Sequence, residues 1–297
     1  MGPGAPPVTS GTPKRILYIY GNCQSGVLTH WATQIPEIAD RYRVVHLRNF
    51  ALGPGRPPRT IREEEFGLGT ILWEQVGQWG VFQERDKLPP DCHTVKFPSC
   101  DFSSLWPLSM ADPACANGDS DIVGNRMLIQ LMDQDRHPDP WAAYRAADLM
   151  AFTDFDRFHT INLHRLRLND DRSDLKFGSW LVDHMVERRL FWCDRHPTSG
   201  TLKELLTQLM AATPLGAPGE RERSLRELDL LAREDFLARP AIPVEPCFAR
   251  ALGLRWDLGA AEYGRTEGVF LTPEQYHLDY IRWRAALRRQ TSARTTP

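Results

Sequence analysis

The sequence predicts an α/β fold: an N-terminal parallel-sheet subdomain joined to a mainly helical C-terminal lobe. Short, β-rich apolar runs recur through the first hundred residues, separated by stretches long enough for crossovers. The first of them reads as continuously hydrophobic rather than alternating, as a parallel strand buried on both faces does. In the second half of the chain the apolar residues recur instead near a period of about 3.6 residues, the spacing of helices with one buried side.

Ile16-Leu17-Tyr18-Ile19-Tyr20, ended by Gly21, predicts the first strand. Val27, Leu28, Trp31, Ala32 and Ile35 follow at helical spacing, and Pro36 stops them. Val44-Val45-His46-Leu47, Thr70-Ile71-Leu72-Trp73 and His93-Thr94-Val95-Lys96-Phe97 predict three more strands, and the Gly- and Pro-rich stretch 53–58 a loop. Helices are expected over residues 121–132, 141–150, 175–189 and 223–237. Leu202, Leu205, Leu206, Leu209 and Met210 make an amphipathic stripe with Thr201 and Glu204 spaced as a capping box. Gly216-Ala217-Pro218-Gly219 predicts a loop. Thr272-Pro273-Glu274-Gln275 opens the last helix, with Thr as cap and Pro at the first helical position. The division expected is a leader over 1–13, an α/β subdomain over 14–110 and a helical lobe over 111–297.

Composition narrows the function. Hydrophobic residues are 42% and charged residues 25%, which suits a folded core. The formal net charge is −2, so no general basic field draws in nucleic acid. No apolar run reaches the roughly 20 residues of a membrane span. The leader, rich in Gly, Pro, Ser and Thr, lacks a signal-peptide core, and a cytoplasmic location with reduced thiols is expected. The six cysteines form no metal-binding spacing, and no metal is expected. No sequence feature specifies an oligomeric state.

The chemistry concentrates at Gly21-Asn22-Cys23-Gln24, where a strand runs into a helix. Ligands bind at the carboxyl ends of parallel strands. A helix start offers free backbone N–H groups and the positive end of the macrodipole, which favours a thiolate. Those N–H groups, with the amides of Asn22 and Gln24 and with Ser25 beside them, are placed to steady an oxyanion, and Gly21 frees the turn. Two readings of Cys23 stand at this point: a nucleophile, or a small core residue. A nucleophilic thiol needs a base. His196, in Cys193-Asp194-Arg195-His196-Pro197-Thr198, is the leading candidate, with Asp194 close enough in sequence to influence its ring. His30, in the first helix, and Trp106, beyond the fourth strand, are secondary candidates for the site. Arg126, Arg165, Arg167, Arg172 and Lys176 are candidates for phosphate contacts.

The stretch from Lys14 to Gln24 resembles the opening of the WcbI-type family of capsular polysaccharide biosynthesis enzymes. Phe97-Pro98 with Trp106-Pro107, Arg189-Leu190-Phe191 leading to His196-Pro197-Thr198, and Thr272-Pro273-Glu274-Gln275-Tyr276 extend the resemblance along nearly the whole chain. It implies a cradle-like fold with an SGNH/flavodoxin-like α/β subdomain, binding of coenzyme A, and transfer of an acetyl group from acetyl-CoA to a sugar hydroxyl. It also implies a cysteine–histidine pair, with Cys23 as the matching cysteine. Asp194-Arg195-His196 has one residue between Asp and His where the late block of SGNH hydrolases has two.

The expectation is therefore an acyl-CoA-dependent O-acyltransferase acting on a sugar or glycosylated metabolite through Cys23 and His196. Two other classes remain: an SGNH-like esterase or thioesterase, with water as acceptor, and a non-catalytic coenzyme A-binding protein.

Overall fold

In the computed structural model, which describes residues 14–51, 57–77, 81–114, 123–134, 137–215, 218–259, 263–264 and 271–295, the first apolar run forms strand β1 (Arg15–Gly21). Ile16, Leu17, Tyr18 and Ile19 are all completely buried, because both faces of this strand are covered. The next three runs form β2 (Tyr42–Arg48), β3 (Gly69–Val76) and β4 (His93–Pro98). All four strands are parallel, in the order β2-β1-β3-β4. The chain moves outward from β1 to β2 and then crosses back to β3. The strand order thus reverses between β1 and β3, the point where a ligand crevice opens in such sheets. The expected leader, most of the 53–58 loop, Cys115, the start of the helix expected from residue 121, and Gly216 and Ala217 lie outside the described residues.

The first crossover is helical, with α1 (Cys23–Ala32) and α2 (Pro36–Ala39) linking β1 to β2. The described parts of the other two connections hold single 3-10 turns, at Glu63–Glu65 and Arg85–Lys87. The two faces of the sheet therefore differ. Alternation along the strands sends Leu17, Ile19, Ile71 and Trp73 to one face, where they pack with Val27, Leu28 and Trp31 of α1 and with the later helices. Ile16, Tyr18, Val45 and Leu72 form a smaller cluster on the other face, beneath Ile61 and Phe82 from the connecting segments.

Beyond β4, the strands β5 (Ser109–Ala111) and β6 (Val123–Asn125) pair antiparallel. This pairing delays the helix expected from residue 121. Asn125 instead caps α3 (Arg126–Asp133), accepting from the N–H groups of Met127 and Leu128. The helix expected over 141–150 splits into α4 (Pro140–Ala146) and α5 (Leu149–Thr153), because Asp148 caps a new start through the Ala151 N–H. The long helix α6 (Phe155–Asp171) was not expected. Its buried residues, Phe155, Asn162, Leu166 and Asp170, hold the right spacing but are half polar, so no apolar stripe marks it.

The remainder comprises α7 (Phe177–His184), a short hairpin of β7 (Phe191–Cys193) and β8 (His196–Pro197), and then α8 (Ser199–Ala211), α9 (Pro218–Leu231), α10 (Pro246–Ala251) and α11 (Pro273–Thr295). The helix expected over 175–189 thus ends early, at His184, and the one expected over 223–237 is displaced towards the N-terminus. The cap of α8 is Thr198, whose side chain accepts from the Thr201 N–H, so Thr201 lies inside the helix rather than at its boundary. The box at α11 forms as expected: Gln275 Oε1 accepts from Thr272 N–H at 2.9 Å, and Thr272 Oγ1 accepts from Gln275 N–H at 3.3 Å. The α8 stripe packs into the same cluster as the sheet, and Trp73 Nε1 donates to Thr213 Oγ1 at 2.9 Å just past the end of α8.

Candidate functional site

The turn between β1 and α1 is built from interlocking amides. Gly21 has φ +153°, a conformation that disfavours a side chain. A Cβ there would lie 2.8 Å from Gln75 Cβ and would collide with Ser25 Oγ and Gln75 Oε1. Gln75, at the end of β3, accepts from the Asn22 N–H at 2.9 Å. Asn22 is the cap of α1, its Oδ1 accepting from the Gln24 N–H at 2.9 Å. The Gln24 side chain is fully buried. Its Oε1 accepts from Cys100 N–H at 3.0 Å and Gln75 Nε2 at 2.9 Å, and its Nε2 donates to the carbonyls of Cys100 and Arg195, both at 2.9 Å. Ser25 is buried too, its hydroxyl directed at Tyr20 O (3.3 Å) and Gln75 Oε1 (3.5 Å).

These bonds revise the expected oxyanion group. The Gln24 amide is saturated, with four partners, and Ser25 faces inward, so both position the turn rather than face a substrate. Gln75 carries much of that framework. Its signal in the sequence was a polar pair, Glu74-Gln75, at the end of an otherwise apolar buried strand. His46 of β2 backs the turn, its Nε2 3.3 Å from Gly21 O, and burial lowers its pKa.

Cys23 is the first residue of α1 and is half-buried. Its pKa is raised. Burial is the main cause and the Asp101 carboxylate adds to it, while the backbone N–H groups of Gln24 and Cys23 and the Arg195 guanidinium pull the other way. The helix start therefore does not make a standing thiolate here: desolvation outweighs it, and the resting sulfur is a thiol. Asp101 follows β4. Burial pushes its carboxyl up to about 6, with the Ser99 hydroxyl opposing, Asp194 raising it, and Arg195 and Arg165 lowering it. Asp101 Oδ2 accepts from Ser99 Oγ at 2.8 Å, whereas the buried Oδ1 takes no hydrogen bond.

Asp101 lies on the wall of a cleft of ≈ 770 Å³, open mouth included, between the carboxyl edge of the sheet and α6. Gly77, just past β3, and Ser103 line the sheet side, Asn162, Arg165, Asn169 and Arg172 the helix side, and Asp194 and Arg195 the β7–β8 hairpin. Cys23 does not itself line the cleft; the charges of two wall residues, Asp101 and Arg195, act on its sulfur. Of the five basic candidates, Arg165 and Arg172 line this cleft. Arg126 instead lies over the Phe152 ring, Lys176 donates to Asp170 and Ser173 carbonyls, and Arg167 lines a separate groove near Val182.

The hairpin carrying Asp194 and His196 docks on the turn. Phe102 N–H donates to Asp194 O at 2.9 Å, and Gln24 holds Arg195 O, the residue before His196. The Asp194 carboxylate pairs with Arg195 Nε at 3.5 Å. The structure takes His30 and Trp106 elsewhere. His30 is exposed near the far end of α1, against Gln34 and the Phe236 ring. The Trp106 indole is buried and donates to the carbonyls of Ile242 and Pro243, on the wall of a separate, mainly apolar crevice with Glu245 and His277. The first is too far along its helix, and the second too deep in the core, to meet Cys23.

Among the described residues no helix is long and apolar enough to cross a membrane, and no group of three or more His, Cys, Asp and Glu side chains is arranged to hold a metal ion. No curated protein matches the chain. A solved structure of WcbI, a polysaccharide biosynthesis enzyme, matches with TM-score 0.65 and 16% identity over 92% of this chain and 91% of that one. That structure is of the native protein without a disulfide bond between coenzyme A and one of its cysteines. The family model for the polysaccharide biosynthesis enzyme WcbI matches residues 16–219, a span that holds β1, the Cys23 turn, α6 and the 194–196 hairpin. The chain therefore belongs to the WcbI family of polysaccharide biosynthesis enzymes.

Proposed function

We propose that the protein transfers an acyl group, acetyl in the simplest case, from acyl-CoA to a hydroxyl of a sugar or glycosylated metabolite. One observation carries this reading: a half-buried thiol at a helix start, at the sheet's reversal point, within the electrostatic reach of Asp101 and Arg195 on the wall of a cleft that also bears Arg165 and Arg172. That the solved WcbI structure is described by the absence of a disulfide between coenzyme A and one of its cysteines supports the choice of donor.

The arginines suit the phosphates of coenzyme A, and the cleft leads its thioester to Cys23. Cys23 exchanges one thioester for another, a nearly balanced step. The NH2 group of Asn22, whose carbonyl oxygen is fixed by the Gln24 N–H, is offered to the oxyanion. His196 then accepts the proton of the acceptor hydroxyl as it attacks the acyl carbon, and returns it to the departing Cys23 sulfur.

Intact mass after acetyl-CoA treatment without acceptor tests the reading. Wild type should gain one acetyl group, and Cys23→Ala none. Equal turnover by Cys23→Ala would refute the acyl-enzyme. Release of acetate as fast as transfer to any sugar would make the protein a hydrolase, and tight binding of coenzyme A without turnover would make it a carrier.

A further inference from the structure

We infer that Asp101 is the general base that takes the Cys23 proton, directly or through one water, when the sulfur attacks the thioester. The inference rests on the acyl-transfer reading and adds to it the residue that makes the first step possible.

The need arises from the sulfur's surroundings. Cys23 rests as a thiol, held there by burial and by a neighbouring negative charge, against the pull of the helix amides. A half-buried thiol with a raised pKa attacks a thioester readily only if something removes its proton at that moment. The negative charge that acts on it is Asp101. One oxygen of that carboxylate is engaged by Ser99 Oγ at 2.8 Å. The other, Oδ1, is buried and accepts no hydrogen bond, although Asp101 lines the open cleft. A buried carboxylate oxygen without a donor is costly to maintain. An incoming S–H or bridging water supplies the missing donor.

Burial keeps this carboxylate basic; Asp194 adds to it, while the Ser99 hydroxyl and the Arg195 and Arg165 guanidiniums oppose it. Cys23 of α1, Arg165 of α6, Asp194 and Arg195 of the hairpin, and Cys100 and Ser99 of its own segment are the ionisable and hydrogen-bonding groups around it. Burial and these groups together leave a carboxylate that is ionised at neutral pH yet more basic than an exposed one, which is what proton abstraction near pH 7 requires. The framework also fixes its place. Cys100, its neighbour in sequence, is clasped through both backbone groups by Gln24, two positions from Asn22 in the same turn as Cys23.

The step balances. Asp101 Oδ1 takes the thiol proton while the sulfur electron pair forms a bond to the thioester carbonyl carbon. The tetrahedral adduct then collapses, the bond from carbon to the coenzyme A sulfur breaks, and Asp101 returns the proton to that sulfur. The products are S-acyl Cys23 and free coenzyme A, with Asp101 again ionised. His196 then serves the acceptor hydroxyl, a separate proton transfer.

Two readouts with opposite signs test the role. Acetyl-adduct formation on Cys23 from acetyl-CoA, without acceptor, is followed by quenched intact mass from pH 5 to 8. Alkylation of Cys23 by iodoacetamide at pH 7 is followed in parallel, with Cys23→Ala as the blank for the other cysteines. Asp101→Asn should slow adduct formation about 100-fold, because the base is lost. The same substitution should speed alkylation about three- to tenfold, because removing the negative charge leaves more thiolate. A residue that merely shaped the fold would not move the two rates apart. Wild-type adduct formation should fall as the pH drops below about 6. In Ser99→Ala that fall should begin at higher pH, because the hydroxyl that favours the carboxylate is gone. An Asp101→Asn adduct rate within threefold of an acylated wild type overturns the role of Asp101 alone, as does alkylation that is unchanged or slower. A wild type that accepts no acyl group overturns the acyl-transfer reading and this role with it.

Discussion

Asp101 shows how one side chain couples function to stability. Its carboxyl has been pushed up to about 6, chiefly by burial, from an ordinary value near 3.9. The native protein therefore holds this proton more tightly than the unfolded chain does, and stability falls as pH rises through the window from about 4 to 6. Above that window the carboxylate costs about 3 kcal/mol. Asp101→Asn should be more stable than wild type by about this amount at pH 7.5 and equal to it at pH 4, as measured by urea unfolding. A variant less stable at both values would show that the carboxylate stabilises the site. Neither Asp101 nor Gln75 stood out in the sequence. Gln75 lies near the end of β3 and Asp101 three residues beyond β4, where a polar residue marks either a site or a simple exit from the sheet. Cys23 and Asn22 were legible because a strand, a glycine and a helix start adjoin them in the chain.

At the scale of elements, the turn between β1 and α1 depends on close approach and on saturated amides. Gly21→Ala should cost about 2–4 kcal/mol, since the new Cβ meets Gln75 and Ser25 and the backbone conformation is one that favours glycine. Gln24→Ala should cost a similar 2–4 kcal/mol, because it strands both backbone groups of Cys100 and the Arg195 carbonyl inside the protein. It should also free the hairpin, seen as faster hydrogen exchange over residues 193–197 than over α8. If exchange is unchanged there, Gln24 does not hold the hairpin. Thr198→Ala should cost about 1 kcal/mol as the loss of an N-cap, whereas Thr201→Ala tests the displaced boundary by removing a hydroxyl that donates to Leu190 O instead. The unexpected helix α6 is the instructive case. It brings Arg165, Asn162 and Asn169 to the cleft, and the polar residues that suit it to that role erased the apolar stripe that would have announced it.

At the scale of the whole molecule, the sheet and the helical remainder share one core. Leu17, Trp73 and Phe97 belong to the same cluster as Leu205, Val244 and Tyr276. Unfolding in urea should therefore show coincident transitions by tryptophan fluorescence and far-ultraviolet circular dichroism. Two separated transitions would assign the 14–110 and 111–297 segments independent stability. The cleft lies between these parts, with walls from the sheet edge, α6 and the hairpin. Its arginines act together against a net charge of −2, so the attraction is local. Arg165→Ala should raise the Kd for coenzyme A about tenfold and weaken its dependence on salt, as read by calorimetry at low and high ionic strength. An unchanged Kd would place the phosphates elsewhere.

The amino-acid sequence by itself determined the four parallel strands, the glycine turn that puts Cys23 at a helix start, and the box that opens α11. Each depends on neighbours a few residues apart, whose spacing encodes which face of an element is buried. Only the tertiary structure decided which polar groups meet at that turn. Gln75, Cys100 and Arg195 stand 53, 76 and 171 residues from the Asn22 and Gln24 groups they bond. Periodicity along one segment records burial but carries no record of a hydrogen-bond partner on another, and it is packing between segments that lets the Asp101 charge act on the half-buried Cys23 sulfur.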